Sequence, residues 1–201
     1  MNSLLIATNN PGKIIELQDL LNDTGIHLVT PADINLDLDV IEDGLTYAEN
    51  AIKKATAFAQ ASGLIALADD SGLEVDALNG EPGLYSARYG STDGKKLSDA
   101  ERRTYLLSKL QSSPRPWTAR FKATIAIATA DALHLSEGIC EGEIIPQERG
   151  TGGFGYDPIF LMQGMDQTMA ELSMDEKNRL SHRAKAVIQA KEILKTLFGG
   201  K

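Results

Sequence analysis

The chain has 201 residues, 42% hydrophobic, 24% charged and 5% aromatic, with a formal net charge of −8. That length suits one domain with a core large enough to need no staple, and no apolar run reaches the ~20 residues that span a bilayer. The acidic balance, without any Lys/Arg run, excludes a long nucleic-acid partner.

A single cysteine, Cys140, and scattered His27, His134 and His182 make a zinc centre a poor fit, whereas abundant carboxylates suit magnesium. The first residues carry no basic segment before the apolar run, so no secretion signal is expected and a cytoplasmic setting follows.

Leu4 to Thr8 reads as a short buried strand that meets the turn cluster Asn9-Asn10-Pro11-Gly12. A helix is predicted over 13–21, with Ile14, Leu17, Leu20 and Leu21 on one face, then a strand over 26–30. The acidic stretch 33–43 is expected to be a surface loop. Thr46-Tyr47-Ala48-Glu49 has the form of a capping box and starts a second helix with Ala51, Ile52, Ala55 and Phe58 as its stripe. On the helical wheel Lys53 falls opposite that stripe and Lys54 at its flank. A strand over 64–68 is expected to end at Asp69-Asp70-Ser71-Gly72, with strand structure resuming over 73–78. Further on come a helix over 97–110, a hairpin from 119–129 and 133–145, a glycine-rich loop over 150–157, a strand over 158–161 and a final helix over 181–198. Interspersed strands and helices imply an α/β fold with a mixed sheet.

Four constellations could carry chemistry. Thr8-Asn9-Asn10-Pro11-Gly12-Lys13 joins a strand to a helix N-terminus, whose free N–H groups and dipole suit a phosphate. It is not a Walker loop, and its plain reading is an ordinary turn with a surface lysine. Asp69-Asp70 stands at a sheet's carboxyl edge, where one carboxylate can face a ligand while the other points away. Asp70 could hold magnesium or take a proton from water, with Glu42 as a second ligand; the plain reading is a solvated turn. Gly150-Thr151-Gly152-Gly153-Phe154-Gly155-Tyr156-Asp157 contains G-x-G-x-x-G without a following helix, so the dinucleotide reading fails. A flat ring on Phe154 fits better, against the plain reading of aromatics plugging the core. Finally, Lys177 to Arg183 is either a solvated basic turn or a ligand-binding helix start capped by Ser181.

In order along the chain, T-N-N-P-G-K-I-I-E at 8–16, G-L-T-Y-A-E-N-A-I-K-K-A at 44–55, A-D-D-S-G-L-E-V-D-A-L at 68–78 and G-E-P-G-L-Y-S-A-R-Y at 80–89 resemble the inosine triphosphate pyrophosphatase family. The match continues through G-T-G-G-F-G-Y-D-P-I-F at 150–160, A-E-L at 170–172 and S-H-R at 181–183, with the bacterial dITP/XTP-type branch the most similar. The resemblance implies a single domain over 1–201, with a mixed central sheet flanked by helices and an active-site cleft between two lobes. It implies magnesium-dependent hydrolysis of ITP, dITP and XTP between the α and β phosphates, in a homodimer. It assigns the triphosphate to Thr8, Asn9, Asn10, Pro11, Gly12, Lys13 and Lys54, and the metal to Glu42 and Asp70. Asp70 also becomes the general base, with Ser71 contacting substrate. Phe154, Gly155, Tyr156 and Asp157 match the base-binding segment, completed by Lys177, His182 and Arg183. Donors such as His182 and Arg183 would bond a 6-oxo group and face the amino group of adenine unpaired. The alternatives are a Maf-like pyrophosphatase of other base specificity and a nucleotide sensor without turnover.

Overall fold

A computed structural model describes residues 3–92 and 94–199. Its elements are β1 (Ser3–Ile6), α1 (Pro11–Leu21), β2 (His27–Val29), α2 (Tyr47–Ser62), β3 (Ile65–Val75), α3 (Asp99–Leu110), β4 (Trp117–Ala128), β5 (Leu133–Ile144), β6 (Phe160–Met162), α4 (Met174–Leu180) and α5 (His182–Phe198). The strands form one sheet in the order β2-β1-β3-β4-β5-β6. β1 runs parallel to both β2 and β3, whereas β5 and β6 are antiparallel, so the sheet is mixed as expected.

The chain divides into two compact units. The first comprises Met1–Asp70, Ala123–Gly138 and Arg183–Lys201; the second comprises Ser71–Lys122 and Ile139–His182.

In the first unit both faces of the sheet are covered. Leu4, Ile6, Leu67, Ile125 and Ile127 pack with Leu17 and Leu21 of α1 and Val187, Ala190 and Leu194 of α5. On the opposite face Leu5, Ala66, Ala68 and Ala126 pack with Ala51, Ala55 and Phe58 of α2. Each fully buried leucine contributes roughly 1.5–3 kcal/mol. Small residues on the α2 side let that helix lie close to the strands. The second unit has its own core, built on Leu73, Leu106, Leu110, Phe121, Tyr156 and Phe160.

Several local expectations are revised. α1 starts at Pro11, two residues before the predicted start, because Asn10 caps it and proline's fixed φ suits the first helical position. The acidic stretch is half-buried: Ile34, Leu36, Leu38 and Val40 pack onto the α2-side core, a period-two pattern hidden among aspartates. β3 does not stop before Asp69 but runs unbroken to Val75, because each of the two aspartates meets buried cations. α4 was not anticipated, although Ser173 and Glu176 form a complete capping box ahead of it. Ser181 is the C-cap of α4, in extended conformation at the junction with α5.

The box predicted at Thr46 is half formed. Thr46 accepts the Glu49 N–H at 3.1 Å, but the Glu49 carboxylate takes the N–H of Leu45.

Candidate active site

The pleat of β3 determines which cations its two aspartates meet. Successive side chains alternate between faces, so Asp69 continues the face of Leu67, and Asp70 that of Ala66 and Ala68. Asp69 therefore faces α1 and α5. It pairs with Lys13 at 3.0 Å and with Arg183 at 2.9 Å, and it is wholly buried. Asp70 faces α2, where Lys54 donates at 2.9 Å and Asn50 at 3.4 Å. The alternation is as expected, but the second carboxylate does not point into solvent. A sheet covered on both faces leaves neither side chain outside.

Lys54 Nζ also lies 2.6 Å from Glu42, so one ammonium joins Glu42 to Asp70. Both lysines converge on a single backbone oxygen. The Asp69 carbonyl accepts from Lys13 at 3.2 Å and from Lys54 at 3.0 Å. Lys53, by contrast, is exposed and pairs with Asp43, in agreement with the wheel.

These surroundings separate the two carboxyls. Burial, the largest influence on Asp70, pushes it above the usual carboxylate range despite Lys54 and Lys13. Burial acts in the same sense on Asp69, but Arg183 and Lys13 outweigh it and hold that carboxyl well below the usual range. Lys54 is penalised by burial yet raised overall by Asp70 and Glu42, so it stays charged. Burial leaves Lys13 lowered, Asp69 notwithstanding.

At the start of α1, Asn10 Oδ1 accepts the N–H groups of Gly12 at 2.9 Å and Lys13 at 3.2 Å. Two donors expected to be open to a phosphate are thus capped from within. Thr8 accepts the Asn10 N–H at 3.2 Å, while Asn9 and Pro11 are exposed.

In the second unit the 150–157 loop is fastened by its own aspartate. Asp157 Oδ2 accepts the Phe154 N–H at 2.9 Å and the Lys177 ammonium at 2.7 Å, both side chains of the ion pair being buried. Lys177 Nζ also sits 5.5 Å from the centre of the Phe154 ring. Tyr156 follows the plain reading. It is buried in the core, with its hydroxyl donating to the Ser86 carbonyl at 3.0 Å, and Phe154 is the half-buried aromatic. Gly153 has φ +70°, and a Cβ there would fall 2.0 Å from Asp157 Oδ2. His182 is buried and stacks on Phe121, with centroids 4.8 Å apart and planes 13° from parallel. Ser71 is half-buried in β3, one residue past Asp70.

Arg183, expected as a donor to the base, is paired with two carboxylates. Its Nε and one terminal nitrogen donate to Asp69, and the other terminal nitrogen donates to Glu16; the residue is 2% exposed. Sequence reasoning missed Glu16, which meets Arg183, and Asn50, which meets Asp70, and it gave Asp69 no partner. Signals existed for the first two. Glu16 lies one turn before Leu20 on the apolar face of α1, and Asn50 one turn before Lys54 on α2. Asn50 Oδ1 also accepts the Gly44 N–H at 2.8 Å, tying the segment after Glu42 to the helix.

A family model described as the Ham1 family matches residues 4–193. The chain belongs to the Ham1 family. Among relatives of this Ham1-family chain, the dITP/XTP pyrophosphatase of Desulforamulus reducens is 49% identical, the match covering 97% of this chain and 96% of that protein. That of Bacillus subtilis is 41% identical over 96% and 98% of the two chains. Among solved structures, a HAM1 protein from Coxiella burnetii matches with TM-score 0.86 at 40% identity, covering 98% of this chain and 100% of that one. The Staphylococcus aureus Ham1 protein matches with TM-score 0.83 at 40% identity, over 96% and 98%.

Proposed function

We propose that this Ham1-family chain is a magnesium-dependent pyrophosphatase that hydrolyses ITP, dITP and XTP to the monophosphate and pyrophosphate. The observation that carries this reading is the joining of Glu42 and Asp70 through Lys54, beside Lys13 on Asp69. The dITP/XTP pyrophosphatase relatives at 41–49% identity support it.

Magnesium fits the donor set. Glu42 and Asp70 offer hard oxygens close enough to share one cation, and no described group of three or more His, Cys, Asp or Glu side chains forms a dedicated cage. An ion that keeps waters and takes phosphate oxygens as ligands suits such a pair. Glu42 and Asp70 would hold it, and when bound it supplies positive charge to the phosphates and lowers the pKa of the attacking water.

The protein's own groups divide the rest of the work. Asp70, its carboxyl raised by burial, accepts the proton that water loses as its oxygen joins phosphorus. Lys13 and Lys54 stabilise charge growing on the departing pyrophosphate. Thr8, Asn9, Asn10, Pro11 and Gly12 border the phosphates, and Ser71 contacts substrate. Phe154 stacks on the purine, with Gly155, Tyr156, Asp157 and Lys177 fixing its loop. His182 is the donor this reading keeps for the 6-oxo group, while Arg183 acts through Asp69. We also propose that the chain works as one ITPase-like domain over 1–201, as a cytoplasmic homodimer. No described helix is long and apolar enough to cross a membrane.

The deciding assay incubates the protein with ITP, XTP, TTP or GTP and magnesium, and measures pyrophosphate and orthophosphate separately. Pyrophosphate from ITP and XTP is expected. Orthophosphate as first product, or equal rates on all four, overturns the reading. A preference for TTP indicates the Maf-like alternative, and binding without turnover indicates a sensor. Asp70→Asn is expected to lower kcat by at least about 100-fold, the usual worth of a general base, in a folded protein.

A further inference from the structure

Helix α3 holds both polar atoms of one residue in the 150–157 loop. Asp99 Oδ2 accepts the Gly155 N–H at 2.6 Å, and Arg103 Nη1 donates to the Gly155 carbonyl at 2.8 Å. Asp99 and Arg103 are four residues apart on a helix, so both project from one face toward the same peptide segment.

Each is itself fixed. Arg102 donates to the other Asp99 oxygen and, at 2.7 Å, to the Leu97 carbonyl. Arg103 forks onto Glu148 through Nε at 2.8 Å and its second terminal nitrogen at 2.9 Å, and its side chain is only 12% exposed. A bidentate guanidinium–carboxylate pair leaves little freedom of orientation.

Space alone does not explain Gly155. Its φ is +60°, but a Cβ added there would meet nothing within 4 Å. What the structure does contain is a charge-assisted hydrogen bond at each of its backbone polar groups. With Tyr156 fastened to Ser86 and Asp157 to Lys177, the clamp completes a run of anchors on the three residues that follow Phe154. The backbone at Phe154 fixes the direction in which its side chain leaves the chain, Asp157 accepts the Phe154 N–H, and α3 holds the residue directly after it.

We propose that Asp99 and Arg103 are positioning residues for base recognition: through Gly155 they set the orientation of Phe154, and so the grip on the purine. The proposal rests on the reading of residues 154–157 as the base-binding segment. Phosphate binding and bond cleavage, which that reading assigns to Lys13, Lys54 and Asp70, do not depend on the clamp.

The test compares Asp99→Ala, Asp99→Asn, Arg103→Gln and Arg103→Lys with the unaltered protein. KM and kcat are measured for ITP, together with inhibition by inorganic tripolyphosphate, a probe that has no base. Asp99→Ala and Arg103→Gln are expected to raise KM for ITP about tenfold or more, the usual effect of losing a charge-assisted hydrogen bond, with kcat within about twofold. The inhibition constant for tripolyphosphate stays unchanged. Asp99→Asn retains an acceptor for the Gly155 N–H, and Arg103→Lys retains one donor, so both are expected to recover part of the affinity. Should the alanine variant not fold, Asp99→Asn and Arg103→Gln carry the same comparison. An unchanged KM overturns the proposal. Equal losses toward ITP and tripolyphosphate, with a lowered Tm, also overturn it by showing a general structural role. Failure of the unaltered protein to process ITP rejects the proposed activity itself, a different result from normal turnover with indifferent variants.

Discussion

Arg183 donates through Nε and a terminal nitrogen to the same Asp69 oxygen, at 3.2 and 2.9 Å, while its other terminal nitrogen holds Glu16. Removing the guanidinium would leave two carboxylates buried with less compensation. Arg183→Ala is expected to cost about 3–5 kcal/mol of unfolding free energy, the usual penalty for breaking a buried ion pair. Denaturant titration measures it, and a loss below about 1 kcal/mol would show that the triad is not structural. The pH dependence has a defined sign. Asp69 is depressed in the folded protein below its unfolded value of about 3.9, so its contribution is complete above that value and lost as pH falls toward the folded pKa. The acid slope of stability should flatten in the variant.

Lys53 and Lys54 are neighbours with opposite fates. Lys53 is exposed and paired with Asp43, whereas Lys54 is 8% exposed and contacts Glu42, Asp70 and the Asp69 carbonyl. Lys53→Ala should leave kcat/KM within about twofold, as expected of an exposed pair. Lys54→Ala should lower it by at least about 100-fold through lost transition-state charge stabilisation. Steady-state kinetics on ITP decide, and the reverse order would refute the assignment.

Gly153 and Gly155 both have positive φ, +70° and +60°, but only the first lacks room. Gly155→Ala should cost only the left-handed backbone penalty, roughly 1–2 kcal/mol. Gly153→Ala meets the same penalty and also drives a methyl into Asp157 Oδ2, separating it from Lys177. Thermal unfolding should therefore rank Gly153→Ala clearly below Gly155→Ala. Equal Tm values would count against the Asp157–Lys177 pair as the loop's fastening.

His182 lies flat against Phe121, so the ring packing sets the imidazole's orientation. His182→Ala should lower the ITP to ATP ratio of kcat/KM by about tenfold or more, because a donor matched to the 6-oxo group is lost. An unchanged ratio would move base discrimination to another residue.

Lys54 was legible in the sequence because a 3.6-residue period alone decides which side of α2 a lysine occupies. The strand–turn–helix at Asn10 and the turn that joins β4 to β5 were legible for similar reasons, each resting on contacts a few residues apart. The packing of Leu36, Leu38 and Val40 was not, since the aspartates between them masked a two-residue alternation. The partners of Asp69 were hidden on a different ground. The pleat says that it faces away from Asp70, but not whether that side meets solvent or a cation.

From the sequence alone came the mixed α/β class, the family resemblance and the faces that individual side chains occupy, because backbone periodicity and turn chemistry are properties of neighbouring residues. Only the tertiary structure decided that Arg183, 114 residues beyond Asp69, meets its carboxylate, and that α3 grips Gly155 from 52 residues away. Which charge lies opposite a buried carboxylate depends on the element packed over that face. That choice belongs to the folded core.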